Sequence, residues 1–421
     1  MSSLQILFTN WIKIIALIYI TILNIQWPNT FAQAIIPQKI TLQEALQIAK
    51  SSWRPLKADS LSILAALRET KAQPQIDPTE INSEWGQVNS AFYDQSMQLN
   101  QSLRLPGYYK AQRKIAKVRL DGAQIEHQRT LVQLEQDLVN TFYRYQILEK
   151  KRKLLQENDS INVENIVGLK SNYNKGLITI YELNEALLIY GESSINLQKV
   201  TSESENTLLH FQHLTSGKYM PKISESILWE DGFTRIGENI TSPDLQLLEN
   251  NYQDAVANRE MSQQMQLPGW SIGLRNMSIT GTGPDGIDYP MARRFNSLQF
   301  GLSLPLWNRP LKEQAKADRL RSASANTMAQ HGQENLNSLQ RQTLLQIQSL
   351  KTQWDQYNQT LLPIADELIK KAHSDLFSDK INLVQWTLTL QTVLKTKESQ
   401  LQLVQDLNEA LVRFHYPRLN H

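Results

Sequence analysis

The stretch LNSLQRQTLLQIQSLKTQWDQYNQTLLPIADEL, residues 336–368, decides the fold. Leu336, Leu339, Thr343, Ile347, Leu350, Trp354, Tyr357, Leu361, Ile364 and Leu368 follow one another at alternating steps of three and four, the signature of a heptad seam. No Gly interrupts it and its only Pro is Pro363, so the spacing predicts a long helix lying lengthwise against other helices. A similar run, Leu131, Leu134, Leu138, Phe142, Tyr145 and Leu148, stands in the first half of the chain. The sequence reads as a duplication of one helical unit.

Between these seams the period changes. Met97, Leu99, Leu103 and Leu105 alternate with Gln98, Asn100, Ser102 and Arg104, a strand with one apolar and one polar face, and its expected partner is 81–88. In the second half Trp270, Ile272 and Leu274 begin a strand, a loop rich in Gly, Pro and Asp spans 281–290, and Leu298, Phe300, Leu302, Leu304 and Leu306 alternate in a return strand. Pro305 follows Leu302-x-Leu304 as Pro106 follows Leu103-x-Leu105, and a long helix follows each. Helices are expected over 42–71 with a break at Pro55, then 108–172, 180–214, 242–266, 310–376 and 383–414. Two shorter helices end to end equal one long one, which makes a uniform cylinder, strand hairpins at one end and the breaks at 173–176 and 377–380 at the other. The segment 218–241 shows no periodicity and reads as an irregular belt between the repeats. The domain reading is 1–32, 33–217, 218–241 and 242–421.

Composition agrees with an elongated molecule. A 421-residue chain that is only 41% hydrophobic has more wetted surface than a compact globule of that length. With 43 Lys and Arg against 41 Asp and Glu, no field of one sign points to nucleic acid, and the basic run at 150–153 fits a solvated helix face. There is no Cys, which removes disulfides, thiol nucleophiles, thiolate metal sites and a lipidated N-terminal cysteine. Lys13, the apolar run 14–25 and the small residues Thr30 and Ala32 read as a signal peptide cleaved after Ala32. No later segment is long and apolar enough for a helical span, so any membrane crossing must use strands. Four strands cannot close a sheet in lipid, and several copies would have to pool their hairpins. Phe92, Tyr93, Tyr289, Phe295 and Trp307 at the hairpin ends suit interfacial girdles.

These features resemble the TolC-like outer membrane efflux protein family, the outer membrane factors. The points that carry the resemblance are Leu302-Ser-Leu304-Pro305-Leu306-Trp307, Tyr173-x-x-Gly176 with Glu182-Leu183, and Leu361-Leu362-Pro363. The second tip reads Phe377-x-x-Lys380 with Leu383-Val384 and lacks the family's Gly. The resemblance implies a mainly α fold with a small transmembrane β part: duplicated long-helix hairpins forming a trimeric α-barrel, capped by a shared 12-stranded β-barrel. It implies a homotrimer in outer membrane lipid extending into the periplasm, a periplasmic adaptor (membrane fusion protein) and an inner-membrane efflux pump as partners. Substrates would be metal ions or small organic molecules. Tyr173, Gly176, Phe377 and Lys380 become partner-docking tips, and Asp375 and Asp379 pore-gate candidates. A periplasmic coiled-coil adaptor or scaffold without a channel is the alternative.

No cofactor is expected. His127 and His331 occupy similar places in the two repeats, but neither has a companion ligand at helical spacing, and Met261 with Met265 fits helix packing. The chain shows no nucleophile elbow, HExxH or phosphate-binding loop. Carboxylates such as Glu126 and Asp137 read as solvated helix faces, so no catalytic residue is assigned.

Overall fold

The computed structural model describes residues 38–224, 226–234, 242–378 and 380–419. The expected signal peptide and Asp379 lie outside the described residues. In chain order the elements are β1 (Gln38–Ile40), α1 (Leu42–Ser52), α2 (Arg54–Lys71), β2 (Glu80–Gly86), β3 (Asp94–Leu103), α3 (Pro106–Asn174) and α4 (Ile180–Leu214). There follow β4 (Tyr219–Pro221), α5 (Glu230–Thr234), α6 (Pro243–Gln264), β5 (Gly269–Ser278), β6 (Gly281–Thr282), β7 (Asp288–Tyr289) and β8 (Arg294–Ser303). The chain ends with α7 (Arg309–Gln356), a π turn (Tyr357–Leu361), α8 (Leu362–Phe377) and α9 (Leu383–His415).

α3 has 69 residues, which at 1.5 Å each gives about 104 Å. It is the spine. Towards the strands it lies between α2 and α6, with α7 beyond α6; towards the other end it lies between α4 and α9, with α8 beyond α9. Each level is thus a row of four helices with two open margins.

Pro106 and Pro305 each follow a strand, where the missing N–H costs no ladder bond, and Pro106 and Pro310 sit in the first turns of α3 and α7. Four of the strands make one antiparallel sheet ordered β2-β3-β5-β8. The hairpins of the two repeats meet through β3 and β5, where Leu99 lies opposite Leu274. The outer edges of β2 and β8 carry no neighbour in the sheet.

The expected seam of 336–368 holds only in part. Leu336, Thr343 and Ile347 are buried, but Leu361, Ile364 and Leu368 are 42%, 57% and 41% exposed, and Ala365 and Ala372 are buried instead. The cause is Pro363. Lacking an N–H and crowding the preceding turn, it favours a wider turn just before it. Leu362 N–H donates to the Tyr357 carbonyl five residues back. The π turn adds one residue to the helical count and shifts the buried stripe by one position, so that Leu362, Ala365, Ile369 and Ala372 take over.

The belt segment expected to be irregular contains two short elements. β4 pairs in parallel with β1, Ile40 opposite Pro221, too short a ladder to leave a period in the sequence. Ile40 is buried with Ala45, Leu56, Leu134, Leu138, Phe142 and Phe211, with Tyr219 packed against them, joining both strands to α1, α2, α3 and α4. On the other side of the belt, the Asn408 amide donates to the Ile227 carbonyl (2.7 Å) and its carbonyl oxygen accepts from Trp229 N–H (2.9 Å). Asp244, buried at the start of α6, accepts from Arg129 Nε (2.7 Å) and from the Leu419 backbone N–H (2.9 Å), tying the chain's last described residue to both repeats.

Candidate functional site

The sheet has two chemically distinct faces because side chains alternate along each strand. Its middle row, read across four strands, is Ile81–Leu99–Leu274–Leu298. On the same face Met97, Ile272, Phe300, Trp270 and Leu302 are also exposed. The opposite face reads Asn82–Gln98–Arg275–Ser297 in the neighbouring row. There Gln98 Nε2 donates to Gln299 Oε1 (2.7 Å), and Arg275 Nε donates to Ser96 Oγ (3.0 Å). One face is solvated and cross-linked by hydrogen bonds; the other offers apolar side chains to its surroundings.

Of the five expected girdle aromatics, Phe92, Tyr93 and Trp307 are exposed, Trp307 at 93%. Tyr289 of β7 and Phe295 of β8 instead pack on each other (centroids 5.7 Å), and Arg293 lies over the Tyr289 ring (4.5 Å). Trp85, overlooked at sequence level, and Trp270, read there only as the start of a strand, stand on the apolar face near its two ends. Their signal was the same alternation that marked Leu99 and Leu274.

At the far end the two helix breaks come together. Leu169, Ile178, Leu183, Ala186, Tyr190 and Val384 form one buried cluster, and Tyr190 Oη lies 2.8 Å from Thr387 Oγ1. In the first tip Gly176 has φ +69°, a left-handed conformation that favours Gly. Leu177 N–H donates to the Asn172 carbonyl (2.9 Å) to close the turn. The second tip closes with a bond of equal span, Lys380 N–H to the Asp375 carbonyl (2.9 Å). Both helices that leave the tips start on reciprocal caps. Thr179 Oγ1 accepts from Glu182 N–H (3.2 Å) and Thr179 N–H donates to Glu182 Oε2 (2.7 Å). Asn382 Oδ1 accepts from Gln385 N–H (2.7 Å), and Asn382 N–H donates to Gln385 Oε1 (3.2 Å). The T-x-x-E and N-x-x-Q spacing is a capping-box pattern that the sequence reading passed over.

The expected tip residues Tyr173, Gly176, Phe377 and Lys380 share this end and are all exposed, Phe377 at 77%. Its ring meets His373 edge-on (4.8 Å), and His373 also contacts the buried Trp386. Asp375 is half-buried and its Oδ1 lies 3.6 Å from Lys380 Nζ, so the carboxylate is part of the tip's own ion pair. Glu182 is held below the usual carboxylate range by hydrogen bonds from the Thr179 backbone and hydroxyl. Among the described residues no three His, Asp or Glu side chains are grouped as metal ligands, and His127 Nδ1 is buried without a hydrogen-bond partner.

No protein-family model matches the sequence, and no curated protein sequence matches it. Among solved structures the chain is similar to a membrane protein from Pseudomonas aeruginosa, with 14% identity, a TM-score of 0.72 and 90% of each chain covered. It is similar also to CusC, in a study of folding and transmembrane channel formation, with 13% identity, a TM-score of 0.70, and 90% of this chain and 92% of that one covered. A third is the Campylobacter jejuni CmeC outer membrane channel, with 12% identity, a TM-score of 0.70, and 89% and 85% covered. The chain therefore has the TolC-like fold of outer membrane channels, as its sequence pattern led us to expect, mainly helical with a small β part.

Proposed function

We propose that the chain is the outer membrane channel of a tripartite efflux system, a passive conduit for metal ions or small organic molecules handed to it by an inner-membrane pump through a periplasmic adaptor. The observation that carries this is the four-stranded sheet, apolar across the middle of one face and without a neighbour on either edge. In lipid its edge groups must be paired, because an unsatisfied backbone group there costs several kcal/mol. Joining β8 of one copy to β2 of the next closes the sheet, and three copies give twelve strands above a ring of twelve helices.

The helical margins support the same closure. On α4, Tyr181, Leu188, Ile195 and Leu209 keep one heptad position and are all exposed; on the opposite margin Leu320, Leu345, Leu361, Ile364 and Leu368 are exposed. Both rows have the composition of half a helix interface. We read residues 33–217 and 242–421 as the two repeats, 218–241 as the belt between them, and 1–32 as the leader. Tyr173, Gly176, Phe377 and Lys380 are the proposed adaptor contacts, and Asp375 with Asp379 the proposed narrowing of the tunnel. No catalytic role is assigned. The coiled-coil scaffold alternative leaves the apolar sheet face in water with nothing to cover it.

The direct test is the mass of the detergent-extracted outer membrane protein, corrected for bound detergent. A value near three times 48.4 kDa, less the leaders, supports the shared barrel. A monomer that stays in solution without detergent overturns it.

A further inference from the structure

We propose that the first turns of the two long helices form a cationic collar that binds the anionic phospholipid headgroups of the leaflet on the helical side of the sheet, an inference that rests on the membrane reading above. From Arg104 to Arg119 the chain has Arg104, Lys110, Arg113, Lys114, Lys117 and Arg119, and no acidic residue. The second repeat reproduces part of this set in register. Counted from the strand-closing prolines Pro106 and Pro305, cations recur at the same three places: Lys110, Arg113 and Lys117 on α3, and Arg309, Lys312 and Lys316 on α7. All six are exposed. Among the described residues Lys316 alone of the six has an ion pair, with Glu313 (2.9 Å).

Lys110, Arg113, Lys117 and Lys312 face the same side of the helical layer. On α3 the face towards α6 carries Lys114, paired with Glu260 (2.6 Å), and Val118, whose carbonyl accepts from Asn250 Nδ2 (3.1 Å). The face towards α2 carries Gln112, whose Oε1 accepts from Gln75 N–H (3.2 Å), and Ala116, whose carbonyl accepts from Thr70 Oγ1 (3.4 Å). Lys110, Arg113 and Lys117 lie on the remaining side, and Lys110 and Lys117 occupy the heptad position of Leu131 and Leu138. Leu138 is buried against the belt, with Leu131 packed beside it. The collar is therefore on the belt side of the wall, the outside of the proposed tunnel. On α7 the residue turned to α6 is Asp318, which accepts from Ser262. At about 100° per residue, Lys312 stands about 120°, Lys316 about 160° and Arg309 about 180° round from it. Since α6 flanks α3 and α7 from opposite sides, that rotation brings Lys312 to the same outer surface as the α3 row, while Lys316 and Arg309 stand at its edge, towards the open margin that carries Leu320.

The height is right for headgroups. Lys110 lies about 6 Å and Lys117 about 17 Å along the helix from Pro106 at 1.5 Å per residue. Leu105, Leu304, Leu306 and Trp307, all exposed, occupy the level between the sheet and the cations. An apolar and indole belt followed at once by exposed cations matches the order acyl chain, interface, phosphate.

A headgroup touching two of these cations should prefer phosphatidylglycerol to phosphatidylethanolamine by roughly thirtyfold, a preference that salt screens. The full chain, reconstituted in bilayers of both lipids and then partly delipidated, is read by native mass spectrometry. The wild type should retain phosphatidylglycerol well above its bulk fraction. The triple variant K110Q/R113Q/K117Q should lose most of that excess and R309Q/K312Q/K316Q a smaller part, while K153Q keeps it. Enrichment unchanged in both triple variants overturns the collar. So does equal thermal stabilisation of the detergent-held protein by inorganic phosphate, or retention of peptidoglycan fragments in place of lipid. A chain absent from the membrane fraction refutes the membrane reading itself, whereas an integral chain with no lipid preference refutes only the collar.

Discussion

Replacing Leu274 by Arg tests the assignment of the two sheet faces. Leu274 lies at mid-strand between Leu99 and Leu298, on the apolar face, and is 59% exposed. If that face meets lipid, the row Ile81–Leu99–Leu274–Leu298 is near the bilayer midplane, where an Arg costs about 2–4 kcal/mol. Three copies in one barrel would raise this to about 6–12 kcal/mol per trimer, enough to consume much of the stability of an ordinary fold. If instead the sheet stands in water, the same change at an exposed site falls within about 0.5 kcal/mol. Gln299→Arg is the matched control, since Gln299 is next to Leu298 in sequence but on the polar face, opposite Gly273. Reconstituted protein would be titrated with urea and the folded trimer scored at each step. We expect Leu274→Arg to lower the midpoint sharply or abolish insertion, and Gln299→Arg to leave both nearly unchanged. Equal sensitivity at the two positions, or tolerance of Leu274→Arg, would refute the reasoning.

Gly176→Val forces a branched side chain into φ +69° and should cost about 1–2 kcal/mol; hydrogen exchange should rise across 169–183 and adaptor affinity should fall, and unchanged exchange would contradict the turn as described. Thr179→Ala removes a reciprocal cap and should destabilise the start of α4 by about 1 kcal/mol, read from the same exchange experiment. Because hydrogen bonds hold the Glu182 carboxyl below its usual pKa, that cap is fully present above the ordinary glutamate range and is lost as pH falls through the lowered value; protection of the tip that rises on acidification would be the wrong sign. Asp318 is buried, and burial alone would raise its pKa, but hydrogen bonds from Ser262, Arg321 and Gln314 outweigh that and lower it. Asp318→Ala should cost about 1–3 kcal/mol by stranding the Ser262 and Gln314 donors, seen as an earlier thermal transition. Asp375→Asn should widen conductance if the carboxylates narrow the tunnel, and an unchanged single-channel current would remove Asp375 from that role.

What was legible in the sequence was whatever repeats at a fixed period. The heptads of 131–148 and 336–354 located the long helices because burial on one face needs the same residue types every turn or two. The alternation of 298–304 located β8 for the same reason. Contacts made once left no period. β1 and β4 are three residues each and meet across the whole first repeat, and β3 pairs with β5 although no turn joins them. The π turn was visible only through its cause, Pro363; nothing in the spacing of Leu361, Ile364 and Leu368 said that the stripe would rotate past them. The tip ion pair of Asp375 was also out of reach, because it depends on how Lys380 folds back after the helix ends.

That rotation bears on how the copies meet. With an unbroken α-helix, Leu361, Ile364 and Leu368 would spend their apolar surface inside the chain, against α9. The added residue hands that position to Ala365 and Ala372 and turns three large side chains outwards. The opposite margin is the heptad row of α4, so the two free faces are different surfaces, and so are the two sheet edges, one of seven residues in β2 and one of ten in β8. A two-fold dimer joins like with like and would leave an open edge in lipid on each copy. A head-to-tail rotation joins unlike margins and closes. Two copies would close eight strands, whose interior side chains fill. Three is the smallest ring of this sheet that leaves a lumen, and the helical margins then need the apolar contact that the π turn supplies.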